Sequence, residues 1–347
     1  MQITENGFRG RGLPQEVMSG APMASGASEL AEKVVASHLI PGETPLVEAT
    51  GFGCETWVKD ERPRMGLGSF KALGAAYVVA HDAIESGAED MSTALTGRTY
   101  ATASAGNHGL SLAFGAKRFG AEAVVYLSNN VPESFADRLR GHGARVERAG
   151  DDYQASMDAA MAEADAHGWT LLSDTSWEGY FERPYRLMEG YLTMAAEAAR
   201  QMPAPPTHIF LQAGVGGLAC ACSQHFREVW GTSDNGGPQI IVVEPDLAPA
   251  LEASIRAGKP VETTGGVSDM GRLDCKIPSL IALNQLAVDA DQFALISEEE
   301  GHAILGPLKA QGLASTPSGA AGLACLSGME LGKGARALCI LSEQAEP

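Results

Sequence analysis

The sequence predicts an α/β protein of two domains, each a twisted, mostly parallel sheet flanked by helices. Three observations carry this expectation. From residue 99 onward, short apolar runs rich in β-branched residues alternate with segments of helical period. Glycines gather where the runs end and the helices begin, and the chain holds 41 of them, the usage of a backbone that approaches something closely. A length of 347 residues exceeds what one small core supports and suits two domains.

Residues 1 to about 30 are rich in Gly, Ser, Pro and Met and lack a period, so they read as an arm or a disordered lead. Residues 30–38 form a short helix pattern. Thr44-Pro45-Leu46-Val47 begins an extended segment, broken by Gly51 and Gly53. The regular alternation then starts: strand 99–103, helix 108–119, strand 123–127, helix 132–142 with proline in its first turn, strand 145–148, helix 152–167 and strand 170–172. Strands joined by helices of this length require right-handed crossovers and a parallel sheet. A second series follows: helix 186–200, strand 208–212, helix 218–229, strand 240–244 ended by Pro245, and strand 293–296. Ser297 opens a capping box with Glu300, and helix 318–329 and strand 336–341 close the series. Residues 246–290 have weaker periodicity. The expected division is a smaller βα domain over 91–194, set between the two parts of a larger domain, 1–90 and 195–347.

Composition excludes several classes of function. A hydrophobic share of 45% with 20% charged residues is that of a soluble globular protein. The formal charge of −18 and the absence of a Lys/Arg cluster argue against nucleic acid or an anionic membrane surface as partner. No apolar run approaches a membrane span, and the polar start Met1-Gln2-Ile3-Thr4-Glu5 is not that of a signal peptide. Cysteines at 54, 220, 222, 275, 325 and 339 sit mostly in apolar surroundings, offer no zinc spacing and read as small buried hydrophobes. A reducing cytoplasm is the expected location.

Four motifs carry chemistry. In Gly66-Leu67-Gly68-Ser69-Phe70-Lys71 a lysine stands behind a glycine-rich turn and ahead of an aliphatic helix pattern. A helix N-terminus disfavours the charged form of such a lysine, and a neutral amine attacks an aldehyde to form a Schiff base. Taken alone, it reads better as a surface lysine at a helix start, and it gains weight only from the motifs that follow. Gln212-Ala213-Gly214-Val215-Gly216-Gly217-Leu218 joins a strand to a helix and suits a phosphate held by backbone N–H groups, with a tight βα turn as the plain alternative. Thr102-Ala103-Ser104-Ala105-Gly106-Asn107-His108-Gly109 also follows a strand and opens a helix. Its N–H groups and the Ser104 hydroxyl suit a carboxylate, Asn107 offers a neutral amide, and His108 reads as a packed helix-start residue; taken alone, the motif reads first as a Ser-capped helix with glycine packing. Ser318, in Thr316-Pro317-Ser318-Gly319, is either an N-cap or a neutral partner for a ring nitrogen. A ligand with an aldehyde, a phosphate, a ring hydroxyl and a ring nitrogen satisfies all four motifs, and pyridoxal 5'-phosphate has these groups.

In their order these motifs resemble the tryptophan-synthase-β-like, fold type II pyridoxal phosphate enzymes, from about residue 40 to 330. Within that superfamily the chain looks most like diaminopropionate ammonia-lyase. Ser173-Asp174-Thr175-Ser176-Trp177-Glu178-Gly179-Tyr180 is close to that family's Asp-Thr-Ala-Trp-Glu-Gly-Tyr, and Lys59-Asp60-Glu61 and Val243-Glu244-Pro245-Asp246 also agree with it. The resemblance implies an elimination on a β-substituted amino acid, with serine/threonine or hydroxyaspartate dehydration as the alternative. It implies that Lys71 carries the cofactor and acts at Cα, that Phe70 packs on the ring, and that Asn107 binds the ring hydroxyl. Gly214, Val215, Gly216, Gly217 and Leu218 would hold the phosphate and Ser318 the pyridine nitrogen. Ser104, Ala105, Gly106 and Asn107 would hold the substrate carboxylate, and Asp174 would recognise or protonate the β-substituent. A homodimer is implied by the same resemblance. Two departures stand out. Ala105 occupies the position where the lyase family carries an aspartate thought to act as a second base, and a methyl group accepts no proton. The stretch Gly271-Arg272-Leu273-Asp274-Cys275-Lys276-Ile277-Pro278 also differs from the family pattern and is expected to line the substrate pocket.

Overall fold

A computed structural model describes residues 1–346. Its strands are β1 (Gln2–Glu5), β2 (Leu46–Ala49), β3 (Glu55–Asp60), β4 (Thr99–Ala103), β5 (Glu122–Leu127), β6 (Arg145–Arg148), β7 (Thr170–Leu171), β8 (His208–Gln212), β9 (Gln239–Pro245), β10 (Gln292–Ile296) and β11 (Arg336–Leu341). Seven of them form one sheet in the order β1-β10-β9-β8-β11-β3-β2, and the other four form a second sheet in the order β6-β5-β4-β7. Pairing is parallel throughout the smaller sheet and in the body of the larger. The two edge strands of the larger sheet, β1 and β2, run antiparallel. The central strands read as unbroken apolar runs because helices cover both faces: Ile209–Leu211 and Ile240–Val243 are fully buried.

The N-terminal stretch departs from the sequence expectation. Gln2–Glu5 pairs with β10 in register, Gln2 opposite Leu295, and Asn6 donates its side-chain amide to the carbonyls of Ala287 and Ala290 at the end of a helix. Residues this polar gain a place through backbone pairing with a sheet edge, which composition does not report. The weakly periodic region also contains structure, with helices Ala250–Ala257 and Leu280–Asp289. Capping follows local chemistry: the Ser297–Glu300 box is present, and Asp152 accepts from Ala155 N to start the helix Tyr153–His167. The late helix is shorter than expected, Ala321–Ser327, and Ala320 rather than Ser318 is its N-cap.

The long helix Glu182–Gln201 runs without interruption past residue 194 and packs along the helix Gly217–Trp230. Beneath it lies a buried ionic cluster. Glu197 accepts from Lys59 Nζ at 2.7 Å and from Arg64 Nη1 and Nη2 at 2.8 and 2.7 Å, and Arg64 also grips Glu61. Lys59, Glu61 and Arg64 are all 1% exposed or less, so each charge depends on the others for its solvation. The cluster ties β3 and the turn that leads into Lys71 to the long helix.

Candidate active site

The site lies where the carboxyl ends of β4, β7, β8 and β11 meet, the usual position for a ligand in an open parallel sheet. Lys71 belongs to a short 3-10 turn, Phe70–Leu73, whose N-cap Ser69 accepts the Lys71 backbone N–H at 3.1 Å. This turn precedes the helix Ala75–Glu85, and Phe70 N donates to the carbonyl of Ser342 just beyond β11. The Lys71 ammonium sits 2.5 Å from Asp174 Oδ2, in the loop after β7, with both side chains about three-quarters buried. Burial alone would push the Lys71 ammonium toward its neutral form, but the Asp174 carboxylate outweighs it and holds the amine charged, above the usual lysine range. Burial would likewise raise the Asp174 carboxyl, and Lys71 brings it below the usual carboxylate range. The sequence argument for a neutral lysine at a helix start therefore gives way to a stronger local term: in the protein alone, Lys71 and Asp174 form an ion pair.

The glycine turn has the shape of a cradle. Gly216 has φ +101°, a conformation that disfavours a side chain, and it precedes the first residue of the helix Gly217–Trp230. A Cβ on Gly216 would lie 2.9 Å from Ala282 Cβ, and one on Gly214 would lie 3.0 Å from Cys275 Sγ. The backbone is pressed against its supports on one side. The first-turn N–H groups of the helix from Gly217 and Leu218 onward lack intrahelical partners and face an anion position. Val215 accepts from Ser279 N, and Ser279 Oγ meets Ser176 Oγ at 2.7 Å, so the turn is fastened to the loop that carries Asp174.

Asn107 begins the helix Asn107–Arg118 and donates its amide to Glu343 Oε2. Glu343 also receives Thr316 Oγ1, and burial raises its carboxyl above the usual range. Ser104 Oγ is used locally, accepting from Gly109 N at 3.0 Å and Gly106 N at 3.3 Å, and Ala105 and Gly106 are half-buried beside it. His108 is a packed residue: Nε2 donates to the Leu172 carbonyl at 2.8 Å, and burial keeps the ring neutral. Ser318 is 3% exposed and its Oγ accepts from Arg272 N at 3.1 Å. Phe70 packs against Tyr191 with ring centroids 4.8 Å apart, and the Lys71 ammonium lies 5.5 Å from the Phe70 ring centre.

Tyr191 and Glu343 lay outside the sequence reading, whereas Cys275 belongs to the stretch 271–278 expected to line the pocket. Tyr191, on the long helix, is 1% exposed, and its hydroxyl has no hydrogen-bond partner among the described residues. A Cβ on Gly74 would meet its Oη at 2.9 Å and one on Gly217 would meet its ring at 3.6 Å, so it lies between the Lys71 turn and the glycine cradle. Cys275 lies against Gly214, with its thiol pushed up to about 12 by burial. Glu343 follows the last parallel strand by two residues, and that position was the one available signal for it. Tyr191 gave none, because an aromatic at helical spacing reads as core.

A family described as pyridoxal-phosphate dependent enzyme matches residues 38–343 of this chain. The chain belongs to that family. The residues present fit the family's cofactor: a lysine for its aldehyde, a glycine cradle on a helix start for its phosphate, and an orphaned Tyr191 hydroxyl between the two. Similar proteins include the diaminopropionate ammonia-lyase of Escherichia coli K12, 35% identical over 262 residues that make up 72% of this chain and 65% of that enzyme. The mouse L-serine dehydratase/L-threonine deaminase is 33% identical over 165 residues, 47% of each chain. The matched stretch thus spans just under two thirds of the E. coli enzyme's sequence. The crystal structure of E. coli diaminopropionate ammonia-lyase with an aminoacrylate-PLP azomethine intermediate superposes with a TM-score of 0.84 at 30% identity, covering 99% of this chain and 93% of that one. The two-sheet, mostly parallel α/β architecture expected from the sequence is the one this pyridoxal-phosphate dependent family member shares with it.

Proposed function

We propose that this chain catalyses a pyridoxal phosphate-dependent α,β-elimination on a β-substituted amino acid such as 2,3-diaminopropionate, giving a 2-oxo acid and ammonia. The observation that carries the proposal is the Lys71–Asp174 pair set beside a glycine cradle at the converging strand ends. When bound, the cofactor supplies an electron-withdrawing ring next to the substrate's Cα. The cradle from Gly214 to Leu218 holds its phosphate, Phe70 packs on the ring, Asn107 meets the ring hydroxyl, and Ser318 faces the ring nitrogen. The N–H groups of Ser104 to Asn107 orient the substrate carboxylate. Lys71, once neutral, accepts the Cα proton. Asp174 stabilises the resulting ammonium and would recognise the β-group, to which Lys71 passes the proton it has taken.

A hydroxy-amino-acid dehydratase, acting on serine, threonine or hydroxyaspartate, is the second reading. It is favoured by Ala105, which leaves no carboxylate in the Ser104–Asn107 loop to serve as another base. Lys71→Ala tests the core of the proposal: it should abolish the cofactor's visible absorbance band and 2-oxo acid formation together, and retention of either overturns the lysine's role. The products separate the two readings, since a diamino substrate releases two ammonia molecules per 2-oxo acid and a hydroxy substrate one. Residues 91–194 are proposed as the smaller domain, and a cytoplasmic homodimer is proposed on the family resemblance, testable by light scattering. Among the described residues no helix is long and apolar enough to cross a membrane.

A further inference from the structure

The segment that departs from the family pattern lies directly over the site. A Cβ on Gly214 would be 3.1 Å from Leu273 Cα, which places this segment against the phosphate cradle. Arg272 N is pinned to Ser318 Oγ. From that fixed backbone the Arg272 side chain crosses the carboxylate loop: a Cβ on Gly106 would sit 3.5 Å from its Cδ and Nε. It lines a cleft shared with Asn107, Arg138 and Thr316. The groups that meet the guanidinium there are carboxylates. Glu343 Oε2 lies 3.8 Å from Nε, and the same oxygen takes the Asn107 amide; Glu346 Oε1 lies 3.0 Å from Nη2. The cleft therefore already shows how it receives an anion, with one oxygen shared between a guanidinium and the neutral amide beside the substrate loop. Glu346 is 70% exposed, and an exposed pair of this kind is weak and exchangeable. The loop beside it carries no acid of its own, Ala105 standing between Ser104 and Gly106, so nothing in the loop competes for the guanidinium.

We propose that Arg272 binds a second carboxylate on the substrate, which makes β-substituted amino dicarboxylic acids the preferred substrate class. This rests on the elimination reading above and narrows it. For 3-hydroxyaspartate the balance is as follows. The Cα–H bond breaks and its proton passes to Lys71. The Cβ–O bond breaks and the hydroxyl leaves as water, taking the proton that Lys71 received. Hydrolysis of the enamine product then gives one 2-oxo dicarboxylic acid and one ammonia. Arg272 does not enter the bond changes; it fixes the distal carboxylate and so sets Cβ against Asp174. Its planar fork suits a carboxylate better than an ammonium does, so lysine in its place is only a partial substitute.

The test compares kcat/KM for 3-hydroxyaspartate and for serine in the wild-type holoenzyme and in Arg272→Gln, Arg272→Lys and Glu346→Gln. Binding of malonate and acetate to each protein by calorimetry supplies a readout independent of turnover. The wild type should favour the dicarboxylate. Arg272→Gln should cut that preference by about tenfold or more, mainly through KM, and weaken malonate far more than acetate. Arg272→Lys should recover part of both. Glu346→Gln, which removes the exposed one of the guanidinium's two carboxylate partners, should raise the preference and tighten malonate. An unchanged preference in Arg272→Gln overturns the inference and leaves the arginine as a fastener for residues 343–346. If Arg272→Gln does not fold, an unmoved preference and unmoved malonate affinity in Glu346→Gln overturn it equally. A wild type that forms no 2-oxo acid from any of these amino acids refutes the elimination reading instead, while malonate binding still decides the anion site.

Discussion

Replacing Asp174 by asparagine separates the two things its carboxylate does. The substitution keeps the size of the side chain and removes the charge that faces Lys71 Nζ at 2.5 Å. Two unit charges about 4 Å apart near a protein surface, at an effective dielectric near 20, interact by about 4 kcal/mol, a lower figure than contact distance alone would give. Both side chains keep about a fifth of their surface in water, 23% for Lys71 and 22% for Asp174, so roughly half of that figure is the better expectation. A loss of about 2 kcal/mol raises the neutral fraction of the Lys71 amine at a fixed pH by about 30-fold. Only the neutral amine condenses with an aldehyde. Cofactor-free Asp174→Asn should therefore capture pyridoxal phosphate about 30-fold faster than the wild type at pH 7, followed by the rise of the visible absorbance band. Turnover should move the other way, falling about a hundredfold or more because the carboxylate that stabilises the Lys71 ammonium after it takes the Cα proton is gone. Opposite changes in capture and turnover are the signature of the ion pair. A capture rate that is unchanged or slower would refute the reasoning, because it would mean that burial rather than Asp174 sets the state of Lys71.

Other perturbations follow from the same geometry. Gly216→Ala puts a Cβ at φ +101° and 2.9 Å from Ala282, so it should weaken cofactor affinity by at least about tenfold in a fluorescence titration while leaving the far-ultraviolet circular dichroism intact. Tyr191→Phe removes a buried hydroxyl without a partner among the described residues; the melting temperature of the cofactor-free protein should hold or rise, while cofactor release speeds up. Glu197→Gln leaves Lys59 and Arg64 buried with only a neutral partner in its place and should cost about 3–5 kcal/mol in denaturant unfolding. Burial opposes the Glu197 charge, but Arg64 and Lys59 outweigh it and hold its carboxyl below the usual range. Its contribution is thus present above the unfolded value and lost as pH falls through the lower folded one, so the wild type should lose its advantage over Glu197→Gln in acid.

The sequence alone determined the alternation of strands and helices from residue 99 onward, the positions of the two glycine turns, and the lysine that follows the first glycine-rich stretch. These are local properties: a period of two or of 3.6, a turn that needs a positive φ, a cap one turn from its partner. Its local rules also placed the Ser297–Glu300 box correctly. They left Ser318 open between a helix cap and a ligand contact and the first residues open between an arm and a disordered lead, since each is placed by a distant partner, Arg272 N in one case and β10 in the other. The tertiary structure decided the chemistry. Asp174 reaches Lys71 across 103 residues and Glu343 reaches Asn107 across 236, and no period connects them. The charge state of Lys71 was open for the same reason. A helix start favours a neutral amine, but a carboxylate in contact favours the ammonium more strongly, and only the folded chain brings the loop after β7 against the turn after Ser69.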